Sequence, residues 1–167
     1  MKVNKIIKNF LSEKDFFHIK NIITGSEFPW FRQKGIAELD LNDNAECYFT
    51  HIFYVNYEIN SQYFNDLSPL INKLIDSVKG ETLIRMKANF YLRTEKIVEH
   101  DFHVDFNFDH KTAVYSINTN NGYTKFEDGS KAPSIENQIV KFNGGKKHKS
   151  TSCTDIFGRI NIGINYE

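Results

Sequence analysis

His103-Val104-Asp105 and the later His148 are the residues whose types and order fit a metal site. Two imidazoles and one carboxylate on one face of an octahedron hold non-haem Fe(II), leaving the other positions open for cosubstrate and O2. Side chains two apart on a strand point the same way, so His103 and Asp105 share a face and Val104 takes the other. Alone the motif is weak. Six His and ten Asp among 167 residues give a chance His-x-Asp in about one such chain in three. His148 adds weight, because it follows the β-like Ile139-Val140-Lys141-Phe142 and the turn Asn143-Gly144-Gly145, and so enters from a later strand.

Eleven residues past His148 stands Arg159, opening Arg159-Ile160-Asn161-Ile162-Gly163-Ile164. The isoleucines take one face there, and Arg159 and Asn161 the other. A buried Arg facing a polar cavity needs an anion, and its planar fork matches a carboxylate bidentately. For Arg159 by itself, a structural salt bridge is the commoner explanation. His100, His110 and Asp109 lie near the triad but fit it less well, since His100 would face the opposite side of a continuing strand. His18 and His51 read as ordinary structural histidines.

The elements that must position these groups are legible in part. Ser12-Glu13-Lys14-Asp15 reads as a capping box, Phe16, Ile19 and Ile23 recur at helical spacing, and Gly25 supplies a stop. A second helix is predicted from Ser68-Pro69 to Gly80, with Leu70, Ile71, Leu74, Ile75 and Val78 on one face. Between them, Cys47 to Ile59 reads as a strand. Thr82 to Thr94 alternates strictly, with Ile84, Met86, Ala88, Phe90 and Leu92 on one face and Arg85, Lys87, Asn89, Tyr91 and Arg93 on the other. Further strands are predicted at His103–Phe106, Ala113–Ile117, Tyr123–Phe126, Asn137–Phe142, Lys147–Ser152 and Arg159–Asn165. Helices in front of about eight short strands imply an α+β, mainly β domain with helices on a small barrel or sandwich.

Composition bounds the rest. The length suits one domain, and 40% hydrophobic with 14% aromatic residues argues for a filled core. Net charge is zero, which disfavours a partner bound through the nucleic-acid backbone. The basic run Lys146-Lys147-His148-Lys149 reads by itself as a solvated loop. Cys47 and Cys153 are too few for a disulfide framework and point to reduced thiols. No signal-peptide pattern or membrane-length apolar run is visible, so a cytoplasmic, soluble protein is expected.

The ordered set HVD (103–105), TAVYSINTNNGYTKFEDG (112–129), NQIVKFNGGKKH (137–148) and Arg159 resembles the catalytic core of the prolyl-hydroxylase-like 2-oxoglutarate/Fe(II) oxygenases. It is similar in particular to small members from phages and bacteria. The resemblance covers about residues 82 to 167, with residues 1–81 as helices and supporting strands of the same single domain. It implies a double-stranded β-helix (jelly roll) with the N-terminal helices outside one sheet. It further implies Fe(II), 2-oxoglutarate and O2, with ascorbate as a candidate reductant and succinate and CO2 as products. His103, Asp105 and His148 match the iron ligands, and Arg159 matches the anchor for the cosubstrate's far carboxylate. Tyr91, with Asn89 beside it, matches a cosubstrate-binding tyrosine, although a rim aromatic covering apolar neighbours is an equal reading of Tyr91. Asn89-Phe90-Tyr91 and Arg159-Ile160-Asn161 also resemble the nucleic-acid demethylating branch, but the second Arg expected after Asn161 is missing.

Hydroxylation of a C–H bond is the expected reaction. A prolyl residue of a protein or peptide is the first substrate by analogy, a free amino acid or small metabolite the next, and a nucleobase the third. The competing classes are a non-catalytic β-helix that binds metal or ligand and a cupin-like oxygen enzyme, which would need no anchor at Arg159.

Overall fold

The structure, a computed structural model, describes residues 4–34, 47–76 and 79–167. The described chain is mainly β, with eleven strands and two α-helices: β1 (Lys5–Ile7), α1 (Glu13–Thr24), β2 (Phe31–Lys34), β3 (Cys47–Val55), β4 (Glu58–Ile59), α2 (Ser68–Leu74), β5 (Leu83–Leu92), β6 (Lys111–Ser116), β7 (Tyr123–Phe126), β8 (Lys131–Pro133), β9 (Gln138–Asn143), β10 (His148–Lys149) and β11 (Gly158–Tyr166). A large antiparallel sheet runs β1-β9-β6-β11-β5-β3-β2, with β4 paired to β3, and a small sheet runs β10-β7-β8. Among the described residues no helix is long and apolar enough to cross a membrane.

The first helix forms as its signals predict. Ser12 caps it by accepting from the Asp15 backbone N–H at 3.2 Å, and Phe16, Ile19 and Ile23 are its buried face. The second is shorter than expected. A 3₁₀ turn, Gln62–Leu67, leads into α2, which stops at Leu74 with Ile75 extended, and Val78 lies outside the described residues. The segment from Cys47 to Ile59 is a hairpin, not one strand. Asn56 and Tyr57 both take positive φ (53° and 63°), the two-residue turn whose twist suits antiparallel strands.

Alternation along β5 and β11 decides the layers. Met86, Ala88, Ile160, Ile162 and Ile164 share one buried cluster with Phe16, Ile19 and Ile23 of α1 and Leu70 and Leu74 of α2. The opposite faces carry Arg85, Lys87, Asn89 and Tyr91 on β5 and Arg159, Asn161, Gly163 and Asn165 on β11, in register across the ladder. The predicted strand at His103–Phe106 is not formed. Instead residues 98–103 lie along 148–152 as a broken extra strand of the small sheet, joined at Glu99–Thr151 and His103–His148. His103 and His148 exchange both backbone hydrogen bonds at 3.0 Å, after which the chain bends away at Asp105.

Asn137 ties the chain's beginning to this frame. It holds φ at 56°, a conformation Asn tolerates better than most residues. Its amide oxygen accepts from Leu11 N (2.9 Å) and Tyr115 OH (2.8 Å), and its Nδ2 donates to Leu11 O (3.0 Å). Asn137→Ala leaves three buried groups without partners. It is expected to destabilise the fold by about 3 kcal/mol in urea unfolding, whereas a loss under 1 kcal/mol would mean that the clamp contributes little.

Candidate metal and anion site

The cavity between the two sheets has a volume of about 600 Å³, its open mouth included. His103 and Asp105 reach it from the loop beside the small sheet, His148 from β10, and Arg85, Lys87, Asn89 and Tyr91 from β5. One ligand atom each from His103, Asp105 and His148 lies within 4.8 Å of the others. Among the described residues they are the one such group of three. The Nδ1 of His103 donates to Asp101 O (3.1 Å) and that of His148 to Lys146 O (3.2 Å), since a carbonyl can only accept. That fixes the tautomer and leaves each Nε2 lone pair for a metal. Burial holds His148 below its ordinary pKa despite the attraction of Asp105, which also favours the neutral, ligating form.

Asp105 is oriented by groups from the large sheet. Arg85 Nη2 donates to its Oδ1 at 2.6 Å and Asn165 Nδ2 to its Oδ2 at 2.8 Å, while Arg85 Nε donates to Asn165 Oδ1 at 3.0 Å. Burial works against the carboxylate's charge. The Arg85 guanidinium, His148 and the Asn165 amide outweigh it and hold the group at about 2. Each oxygen keeps lone-pair capacity toward His148, whose Nε2 is 3.9 Å from Oδ2. Neither Arg85 nor Asn165 is assigned a role by the sequence, although Arg85 shares the polar parity of Asn89 and Tyr91.

Arg159 is almost wholly buried, at 1% exposure, and stands behind the cavity wall rather than on it. Its Nε donates to Ser134 Oγ (2.6 Å), Nη1 to Thr151 O (3.2 Å) and Nη2 to Thr124 Oγ1 (3.0 Å). No carboxylate pairs with it among the described residues. Burial lowers its pKa to about 10, so it stays charged at neutral pH. Of its five N–H groups, these bonds leave one on each terminal nitrogen without a partner among the described residues. Thr124, Ser150 and Tyr91 form the cavity wall nearby. Tyr91 is 5.7 Å from the guanidinium and stacks on Tyr48 at 5.5 Å. Asn89 Nδ2 donates to Asn161 Oδ1 at 3.0 Å, and among the described residues its own buried Oδ1 has no donor, so it is free to accept one from a ligand or water. A metal ion and an acidic cosubstrate therefore both fit the donor set.

The other candidates stand apart. His100 is buried beneath Tyr91 and bonded to Ser150 Oγ at 2.7 Å. His110 bonds to Phe108 O, His51 to Pro29 O and Ser61, and His18 lies 3.4 Å from Asp66. Lysines of the basic run pair with acids, Lys149 with Glu99 at 2.8 Å and Lys147 with Glu127 at 3.9 Å. Sequence reasoning assigned no role to Lys87 and had no signal for Tyr48. Both line the cavity, and burial and nearby Arg85 push Lys87 down to about 8.

No family model and no curated protein matches this sequence. Solved structures do match in fold. A 2-oxoglutarate-Fe(II) oxygenase family oxidoreductase from Burkholderia pseudomallei superposes with a TM-score of 0.73 at 9% identity, covering 98% of this chain and 84% of that one. The non-haem, alpha-ketoglutarate-dependent epimerase SnoN gives 0.68 at 13% identity over 98% and 77%. A Trichoplax adhaerens prolyl hydroxylase, solved with a hypoxia-inducible-factor peptide, gives 0.62 at 14% identity over 99% and 84%. The chain thus has the fold of these proteins, consistent with the oxygenase jelly roll.

Removing the Arg85 guanidinium strands a largely buried Asp105 carboxylate, a loss of roughly 3–5 kcal/mol for a broken buried pair. Arg85→Met is expected to lower metal-free stability by about 3 kcal/mol, and Asn165→Ala by about 1 kcal/mol. Equal small effects in denaturant titrations would show that neither group holds the carboxylate.

Proposed function

We propose that this protein is an Fe(II)- and 2-oxoglutarate-dependent oxygenase that hydroxylates a C–H bond of a peptide or small molecule. The observation that carries the reading is the convergence of His103, Asp105 and His148, together with a buried guanidinium that no carboxylate neutralises among the described residues. The fold likeness adds support by analogy. The whole chain is taken as one oxygenase domain, with α1 and α2 covering the outer face of the large sheet.

In this reading His103, Asp105 and His148 hold the iron, and Arg159 grips the far carboxylate of 2-oxoglutarate. Tyr91, Asn89 and Asn161 steady the cosubstrate's other polar atoms. Bound iron supplies the redox chemistry by which 2-oxoglutarate, O2 and R–H become succinate, CO2 and R–OH. The chain's own part is to orient both substrates and keep bulk water from the reacting atoms. Arg85 and Asn165 fix Asp105 so that its free lone pairs point toward the two Nε2 atoms. Thr124 and Ser134 hold the Arg159 fork before any ligand arrives, reducing the ordering cost of binding.

The direct test is succinate formation from 2-oxoglutarate with Fe(II) in air, without added substrate. The wild type is expected to turn over slowly, and His103→Ala and His148→Ala to lose both turnover and Mn(II) binding while remaining folded. His100→Ala should keep its Mn(II) affinity. Metal binding without any succinate would favour a non-catalytic binding module, and turnover in either ligand variant would remove the triad. Arg159→Ala should weaken 2-oxoglutarate binding by roughly 2–5 kcal/mol with little change in Mn(II) affinity. Arg159→Lys should recover only part of it, because an ammonium lacks the fork. An unchanged 2-oxoglutarate titration in Arg159→Ala would end the anchor assignment.

A further inference from the structure

The cavity holds more positive charge than the proposed contents use. Asp105 compensates Arg85 at 2.6 Å. A dianionic cosubstrate would compensate Arg159 and half the charge of a divalent ion. Lys87 then remains, together with the ion's second charge. Lys87 lines the cavity, and its Nζ lies 5.9 Å from the centre of the Tyr48 ring. Among the described residues its ammonium makes no hydrogen bond and no ion pair with a carboxylate. A half-buried ammonium left like this costs stability unless something answers it.

Its place along β5 separates it from the cosubstrate anchor. Tyr91 is the β5 partner of Arg159, whereas Lys87 is the partner of Gly163, four residues away on the same face and toward Arg85 and Asp105. Gly163 also lines the cavity, and a Cβ there would meet nothing closer than 3.6 Å. The missing side chain therefore leaves room beside Lys87. The phenol ring of Tyr48, stacked on Tyr91, lines the cavity on the side toward the Arg159 end and still gives Lys87 an apolar surface within reach.

We propose that Lys87 receives a carboxylate of the prime substrate, which is therefore a small carboxylic acid seated against Tyr48 and the space at Gly163. The assignment rests on the proposed oxygenase function and narrows its substrate class. An acid held at Lys87 lies at the Asp105 end of the cavity, with its C–H bonds facing the metal ligands. The cosubstrate keeps the Arg159 end.

Charge-matched probes test it. Protein loaded with Mn(II) and saturating 2-oxoglutarate is titrated calorimetrically with N-acetyl-L-proline, N-acetyl-L-leucine and N-acetyl-L-glutamate, each beside its carboxamide counterpart. At least one acid is expected to bind tenfold or more tightly than its amide. That preference should fall below twofold in Lys87→Met and Lys87→Gln, with affinities for Mn(II) and 2-oxoglutarate unchanged within twofold. The proposal is overturned if no acid binds, if acids and amides bind alike, or if the preference survives in both variants. A tenfold loss of 2-oxoglutarate affinity in Lys87→Met would overturn it too, by making Lys87 part of the cosubstrate anchor. Failure of the wild type to bind Mn(II) or 2-oxoglutarate would sink the oxygenase reading instead. The acid–amide comparison in unloaded protein would then still decide whether Lys87 receives a carboxylate.

Discussion

The site depends first on the pairing of β5 with β11. Along that ladder Arg159 stands opposite Tyr91, Asn161 opposite Asn89, Gly163 opposite Lys87 and Asn165 opposite Arg85. These paired polar groups thus share one face of the two strands, while Met86, Ala88, Ile160, Ile162 and Ile164 lie on the other, in the buried cluster with residues of α1 and α2. Because side chains alternate with a period of two, a one-residue slip would bury the charges in the apolar cluster and expose the isoleucines to the cavity. The apolar face thus enforces the register of the polar one. Stability and the site's geometry are set by the same pairing.

The small sheet supplies the other wall, and a reciprocal backbone pair ties the two histidines into it. His103 and His148 are fixed relative to each other at 3.0 Å by main-chain bonds, so their rings converge without help from a ligand. Asp105 lies at the bend and has no such backbone pair among the described residues. Its position comes from Arg85 and Asn165 on the far sheet. The three candidate ligands are therefore held by two different mechanisms, one on each side of the cavity.

Identities of 9–14% with the matching structures accompany nearly complete coverage of this chain. Such a fold can persist under deep sequence change because it needs alternation and turns at the right intervals, not particular residues. Site groups answer to stricter geometry. Here the guanidinium missing after Asn161 is accompanied by Asn165 on β11 and Arg85 directly across from it on β5.

Local periodicity and capping carried much of the architecture in the sequence itself. The α1 cap, the strict alternation of β5, the split faces of β11 and the order His103, Asp105, His148, Arg159 are all readable there, because each depends on near neighbours or on a period. The sequence misled where the outcome was set by distant partners. The segment 103–106 looked like a strand and is a bridge followed by a bend, because only His103 finds backbone partners on β10. Cys47 to Ile59 looked continuous, yet Asn56 and Tyr57 turn it back on itself, a step in which Asn was the one weak signal. Arg159 was expected on the cavity wall and lies behind it, gripped by Ser134, Thr151 and Thr124, residues 8 to 35 positions away. Lys87 showed its face but not that its ammonium finds no carboxylate among the described residues. Whether a charge is answered depends on which side chains the sheets bring within a few ångströms, and only the tertiary structure decides that.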